Sequence, residues 1–292
     1  MKILITGATG FLGSALAFAL ANSEHKLFLL TRPQSNLSRI NNPSLLEQVR
    51  CCNSDKEIKL LVHEIQPEIV IHNACSYGRL GEDAIELVNV NIKLGLLIIQ
   101  ALIKNDKPST FINTGTILKD DVSFYAISKN QFSQWGEVSA RKSLGILRFI
   151  NLRLQHMYGP GDSISKFTTY VLHSCHQNIT TLELSPGKQK RDFIYIDDVV
   201  SAFLILISKK DELDLFVNID VGSGVSPTIQ KFVRVVHKLT KSKTQLIFGA
   251  LEYRDNEPML CRANTKVMQS FGWKPQYDLE AGLLKMIEIE FK

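Results

Sequence analysis

Cysteine is scarce and unpatterned in these 292 residues: the five are Cys51, Cys52, Cys75, Cys175 and Cys261. An odd count with no C-x-x-C pair argues against a disulfide scaffold, and the scattered histidines supply no metal-ligand spacing. Reduced, mostly buried thiols are expected, and with them a cytoplasmic protein. Long apolar runs are missing too. Nothing reaches the roughly 20 residues of a membrane span, and the opening run Ile3 to Ile5 stops at Gly7 with no cleavage site. No membrane partner is expected. Charge of one sign is also lacking, since 34 Lys and Arg against 29 Asp and Glu leave a formal +5 spread along the chain. Nucleic acid is therefore not an expected partner, while a local basic site for a phosphorylated ligand stays open.

What is present is enough to bury a large core, with 45% hydrophobic and 22% charged side chains. From residue 2 to about 155, short apolar runs alternate with longer helical patterns, as in a parallel sheet covered on both faces. Strands are expected at Lys2 to Thr6, Lys26 to Thr31, Val49 to Cys52, Glu68 to His72, Thr110 to Asn113 and Gly145 to Leu152. Helices are expected at 11–22, 55–65, 80–104 and 122–143 from the 3.6-residue period. Right-handed crossovers make a doubly wound sheet the default. After Tyr158-Gly-Pro-Gly161 the alternation loosens into helices near 164–176, 197–208, 228–238 and 279–291 with short strands at Asp192 to Ile196, Phe216 to Ile219 and Gln245 to Phe248. The expected fold is thus α/β, a Rossmann-type doubly wound parallel sheet with a smaller mixed α/β C-terminal substrate lobe. Residues 1–160 form the dinucleotide domain, to which segments near 192–222 return; 161–191 and 223–292 form the lobe.

Gly7-Ala-Thr-Gly10-Phe-Leu-Gly13 follows the first strand and opens a helix, the context in which such a loop binds a dinucleotide. The first glycine permits the tight turn, the second lets backbone approach a pyrophosphate, and the third lets helix pack on strand. The anion then meets the helix N-terminus. Gly7, Thr9, Gly10, Phe11, Leu12 and Gly13 are accordingly candidate cofactor contacts. The second strand ends in Leu29-Leu30-Thr31-Arg32-Pro33, with no carboxylate for the adenosine ribose. Arg32 offers a guanidinium for a 2′-phosphate, so the expected cofactor is NADPH (NADP+).

Tyr125-Ala-Ile-Ser-Lys129 sets a phenol and an ammonium four residues apart on one helical face. A nearby cation favours the phenolate and brings a side chain of reference pKa about 10 towards neutrality. Asn113-Thr-Gly-Thr116 ends a strand just before it, and its hydroxyls could reach the same point. His63, His72 and His237 occur singly and are read as structural, with no metal expected. Trp135 and Trp273 are read as buried.

With these motifs in order, the chain resembles the extended short-chain dehydrogenase/reductases, in the epimerase/dehydratase branch, over its whole length. The resemblance also rests on Asn73-Ala-Cys75, Asn91, Arg191-Asp-Phe-Ile-Tyr-Ile-Asp-Asp198, Val221-Gly-Ser-Gly224, Arg254-Asp-Asn-Glu257 and Phe271-Gly-Trp-Lys-Pro275. It implies that Tyr125 transfers a proton, that Lys129 binds the nicotinamide ribose and lowers the tyrosine pKa, and that Thr116 holds the reacting sugar oxygen. It implies cofactor contacts at Asn73 and Ala74, and substrate contacts at His156, Lys166, Phe167, Arg191 and Arg254, the arginines suiting a diphosphate. Gln155 and His156 stand where the family has Phe-Asn, so the contact there is changed. It implies a homodimer through the 80–104 and Tyr125 helices, although an intrachain role for those faces remains open.

The segment from Thr116 to Tyr125 is short, which makes the chain most similar to the CDP-paratose and CDP-abequose synthase type of nucleotide-sugar 4-ketoreductase. That implies reduction of a CDP-linked 4-keto-3,6-dideoxyhexose for O-antigen synthesis. Ile117-Leu118 stand where dehydratases carry Asp-Glu, so elimination is not expected. A dTDP-4-dehydro-6-deoxyglucose 4-reductase, a nucleotide-sugar 4-epimerase and an NADP-sensing regulatory protein remain the alternatives.

Overall fold

The computed structural model describes residues 1–79 and 81–292. In chain order its elements are β1 (Lys2–Thr6), α1 (Phe11–Ala21), β2 (Lys26–Thr31), α2 (Pro43–Leu46), β3 (Val49–Cys51), α3 (Asp55–Ile65), β4 (Ile69–His72), α4 (Ala84–Val88), α5 (Leu94–Lys104), β5 (Ser109–Thr116), α6 (Phe124–Lys142) and β6 (Leu147–Leu154). There follow β7 (His156–Tyr158), α7 (Phe167–His176), β8 (Thr181–Leu184), β9 (Phe193–Tyr195), α8 (Ile196–Lys209), β10 (Phe216–Val221), α9 (Ile229–Leu239), β11 (Gln245–Phe248), α10 (Lys266–Ser270) and α11 (Leu279–Glu290).

The chain divides into two compact units. The first comprises residues 1–153 and 203–219, the second residues 154–202 and 220–292. The sheet of the first unit has the order β10-β6-β5-β4-β1-β2-β3. β1 pairs in parallel with β2 and β4, β2 with β3, and β4 with β5. This is a Rossmann-type doubly wound sheet, and the order turns outward from β1, where ligands of such sheets bind at the carboxyl ends of the strands. β1, β2, β4 and β5 are buried almost throughout, as continuous apolar runs demand when both faces are covered. On one face Phe111 stacks on Phe149 at 5.3 Å between centroids, and Phe132 of α6 meets both edge-on. A Cβ on Gly136 would come within 2.3 Å of the Phe149 ring, so that glycine lets α6 lie close on the sheet.

The expected helix at 80–104 begins on Leu80, which lies outside the described residues. From Ala84 it is two helices joined by a wide π-type turn at Asn89–Lys93. Asn91 causes the break: its buried amide accepts from Ser76 N–H at 2.8 Å and donates to Ser76 O and Ser128 Oγ at 2.9 Å. Ala84–Lys104 has the length and apolarity of a membrane span, but half of that window is buried against the chain's own core. All five cysteines are free; Cys51 is exposed, Cys75 partly buried and the other three buried.

The second unit is a smaller mixed α/β lobe. β7 pairs with β9 and β11 with β8, both in parallel. The three residues of β7 and the four of β8 are too few to be read as strands from sequence. Asp192, fully buried, organises this unit by accepting from the N–H groups of Ser223, Gly224 and Ala263 and from Ser223 Oγ. Asp198 does the same for Gln276 and Tyr277. Trp273 is buried as expected, its indole N–H donating to Ser201 Oγ at 2.8 Å. Trp135 is not: it is 56% exposed on α6, because the period that makes the helix amphipathic does not say which residues flank its apolar stripe.

Candidate active site

Gly7, at φ +65°, turns the chain out of β1 in a conformation that a side chain disfavours. A Cβ there would lie 2.6 Å from Ala74 N, so the Asn73–Ala74 peptide can rest directly on the loop only because this residue is glycine. Thr6 locks the same approach, its hydroxyl accepting from Ala74 N–H at 3.2 Å and pairing with His72 Nδ1 at 2.9 Å. Gly13 packs on the loop too, where a Cβ would meet Gly7 O at 2.1 Å. α1 starts at Gly10 with no side-chain cap and no acidic residue in its first turn, which suits an incoming pyrophosphate. Leu12 is buried in the core, so only its backbone is available to a ligand.

Thr116 ends β5 and Tyr125 opens α6, whose N-cap Ser123 accepts from Ala126 N–H at 3.1 Å. Lys129 lies one turn on, 1% exposed, and its ammonium has no protein acceptor. A buried cation in that state is costly unless a ligand completes it. Together with the uncapped α1 and the Gly7 cradle, this orphaned ammonium fits a nicotinamide dinucleotide, with Gly7 to Gly13 on the pyrophosphate and Lys129 on a ribose hydroxyl.

The electrostatics differ from what the resemblance implies. Burial pushes the Tyr125 phenol above its ordinary value and Cys75 adds to this, while Arg79 and a hydrogen bond from the Thr116 side chain oppose them. Burial likewise pulls the Lys129 ammonium down. Sequence shows the cation four residues on, but not the burial that raises the phenol.

The lobe gathers most of the other candidates. His156, Phe193, Phe232 and Phe167 form one aromatic row, with successive centroids 6.0, 4.3 and 5.9 Å apart. Lys166 pairs with Asp162 at 3.0 Å. Arg191 is 4% exposed, donates to Lys190 O at 2.8 Å and forms an ion pair with Glu257. Arg254 is exposed, and its carbonyl accepts from Glu257 N–H at 3.1 Å, so one turn joins both arginine positions. Sequence reasoning left Gln155 without a role. It is 6% exposed with neither amide atom partnered, a pair of groups that a ligand could satisfy. The isolated histidines are structural: His63 bonds Asn105 and His237 bonds Thr244 O. Among the described residues no cluster of His, Cys, Asp and Glu could hold a metal.

Residues 3–222 match the model of the NAD dependent epimerase/dehydratase family. A CDP-abequose synthase of Salmonella typhimurium is 31% identical over 298 residues, covering 98% of this chain and 97% of that protein. Among solved structures, the UDP-glucose 4-epimerase of Thermotoga maritima with UDP-glucose superposes with a TM-score of 0.85 at 20% identity, covering 99% and 98% of the two chains. The UDP-glucose 4-epimerase of Thermus thermophilus does so at 0.81 and 18%, again over 99% and 98%. That structure is a complex with NAD, as are further matched structures. The expectation of NADPH is therefore corrected. Arg32, on which it rested, sits exposed in a local turn, its N–H donating to Ser35 Oγ at 2.9 Å and its carbonyl accepting from Ser35 N–H at 3.0 Å. A guanidinium after β2 is not by itself a 2′-phosphate site.

Proposed function

This chain belongs to the NAD dependent epimerase/dehydratase family, and from that premise we propose that it reduces the 4-keto group of a CDP-linked 3,6-dideoxyhexose to the CDP-paratose or CDP-abequose type of product. At the coarser level it is an NAD(P)-dependent oxidoreductase of nucleotide sugars, with a 4-epimerase or 4-reductase type of chemistry. The observation that carries the finer reading is the 31% identity to a CDP-abequose synthase along essentially both whole chains.

In this reading Tyr125 donates its phenolic proton to the oxygen at C4 as negative charge develops there. Thr116 holds that oxygen through its hydroxyl, and Lys129 orients the ribose and offsets the charge left on Tyr125. Reduced nicotinamide dinucleotide, when bound, supplies hydride to the carbonyl carbon. Arg191 and Arg254 are proposed to meet the diphosphate and His156, Lys166 and Phe167 the rest of the substrate. The reading includes a homodimer, supported by exposed Ile85 and Val88 on α4 and Trp135 and Val138 on α6. It also includes a cytoplasmic location, supported by the five free thiols.

The test mixes the purified protein with NADH and a CDP-linked 4-keto-3,6-dideoxyhexose, following absorbance and product stereochemistry by NMR. One cofactor oxidised per sugar and a single C4 epimer are expected. Flat absorbance with this substrate but turnover of a dTDP-linked 4-keto sugar would move the reading to the dTDP reductases. Interconversion of nucleotide hexoses at C4 without added reductant would replace it with an epimerase.

A further inference from the structure

The segment between Thr116 and Tyr125 is held down from α6 by one side chain. Asn130, the residue after Lys129, donates through its amide to Leu118 O at 2.9 Å and to Asp120 Oδ1 at 2.5 Å. Both hydrogens of the amide are thereby used, and both acceptors belong to the same short segment. Leu118 in turn donates its N–H to Thr116 Oγ1 at 3.2 Å. That bond occupies a lone pair of the Thr116 oxygen and leaves its hydrogen to point elsewhere, and the Thr116 side chain favours the charged form of Tyr125. The far end of the segment is fixed independently: Ser123 Oγ accepts from Ala126 N–H at 3.1 Å and Ser123 O from Ile127 N–H at 3.1 Å. Between these anchors the turn at Asp120–Val122 is closed by Val122 N–H on Lys119 O at 3.2 Å, and its Thr116 end is tied to α6 by Asn130.

We propose that Asn130 is a positioning residue for the reaction, which ties the Leu118 peptide and Asp120 to α6 and so aims the Thr116 hydroxyl at Tyr125. It touches neither substrate nor cofactor in this assignment and acts through Leu118. A donor is required, since both acceptors are oxygen atoms with no hydrogen to give, and an amide is the uncharged side chain that brings two N–H groups to one point. A carboxylate of the same size would face two oxygens instead. The inference rests on the reading of Thr116 and Tyr125 as the acid and its partner.

The test compares Asn130→Asp, Asp120→Ala and the exchange variant Asn130→Asp/Asp120→Asn with the unaltered protein, by kcat, KM for the sugar and dissociation constant for NADH. Asn130→Asp should lower kcat about tenfold or more, the scale of a misplaced catalytic group, with NADH affinity within about twofold. The loss should fall on kcat, with KM for the sugar within about twofold. The exchange variant restores the pair between positions 130 and 120 with the partners reversed, though not the bond to Leu118 O, and should recover kcat at least threefold. Asp120→Ala, at an exposed site that leaves α6 intact, should give a smaller loss of kcat. An unchanged kcat in Asn130→Asp, a loss that falls on KM or NADH affinity instead, or no recovery in the exchange variant would overturn the proposal. Tyr125→Phe and Thr116→Val run beside them: if those two turn over normally, the reading of the site has failed instead.

Discussion

The ring of Tyr77 packs on that of Tyr125, with centroids 4.9 Å apart and planes inclined by 31°. The Arg79 guanidinium lies over the ring of Tyr77 at 5.2 Å. Both residues come from the loop after β4, beyond the Asn73–Ala74 peptide, so one loop serves the phosphate turn at its start and the proton donor further on. Burial is the largest influence on Tyr125, and Tyr77 is part of that cover. Tyr77→Ala should admit water beside Tyr125 and lower kcat severalfold, with the dissociation constant for NADH nearly unchanged. Steady-state kinetics and cofactor titration of the variant check this, and an unchanged kcat would mean that other groups provide the cover.

Tyr125→Phe removes only the hydroxyl. Cofactor affinity should stay nearly unchanged while kcat falls by about 10²-fold or more, the usual scale for a general acid. Single-turnover measurement isolates the chemical step. A wild-type rate there would take Tyr125 out of the mechanism.

How much of this was legible in the sequence varies with how local the cause is. The strand, glycine turn and helix from Lys2 to Ala21 could be read directly, because each residue type answers a constraint from its neighbours in the chain. The break at Asn89–Lys93 could not, since it depends on Asn91 meeting Ser76 and Ser128 from elsewhere. The Tyr125 and Lys129 spacing was visible, but the state of the phenol was not, being decided by Tyr77, Cys75, Arg79 and the surrounding burial. Arg32 misled for a related reason: a guanidinium in the expected place says nothing about whether a phosphate site has been built around it. Asn130 gives no pattern at all, as its two acceptors lie ten and twelve residues back.

Gln155 carries a prediction of opposite sign to most core substitutions. Its amide is buried with both polar atoms unpartnered, and a Cβ on Gly222 would meet its Cγ at 2.5 Å, so the side chain is confined. Replacing it by leucine removes two desolvated groups at similar volume. Gln155→Leu should raise stability by about 1–2 kcal/mol, read as an increase in Tm, while KM for the sugar worsens if a ligand completes the amide. A lower Tm would show that the amide is already satisfied in the folded protein.

The last prediction concerns acid. His72 is fully buried between Phe111 and Phe132, each 5.4 Å away, and bonded to Thr6 through Nδ1. Burial first, and then the Lys129 ammonium, hold its pKa well below the ordinary 6.5. The folded chain therefore keeps His72 neutral where the unfolded chain takes up a proton. Below pH 6.5 the unfolded state binds more protons, so stability falls as pH falls, with a limiting slope of about 1.4 kcal/mol per pH unit from this group until the folded pKa is reached. Above pH 6.5 both states are neutral at His72 and its contribution is level. In His72→Asn the side chain still accepts from Thr6 but does not titrate, so its difference in unfolding free energy from the unaltered protein should drift in favour of the variant between pH 6.5 and pH 5. Urea titrations at half-unit intervals measure that drift, in which the carboxylates common to both proteins cancel. Parallel curves across the interval would mean that His72 is protonated in the folded state, and that Thr6 holds an imidazolium beside Lys129.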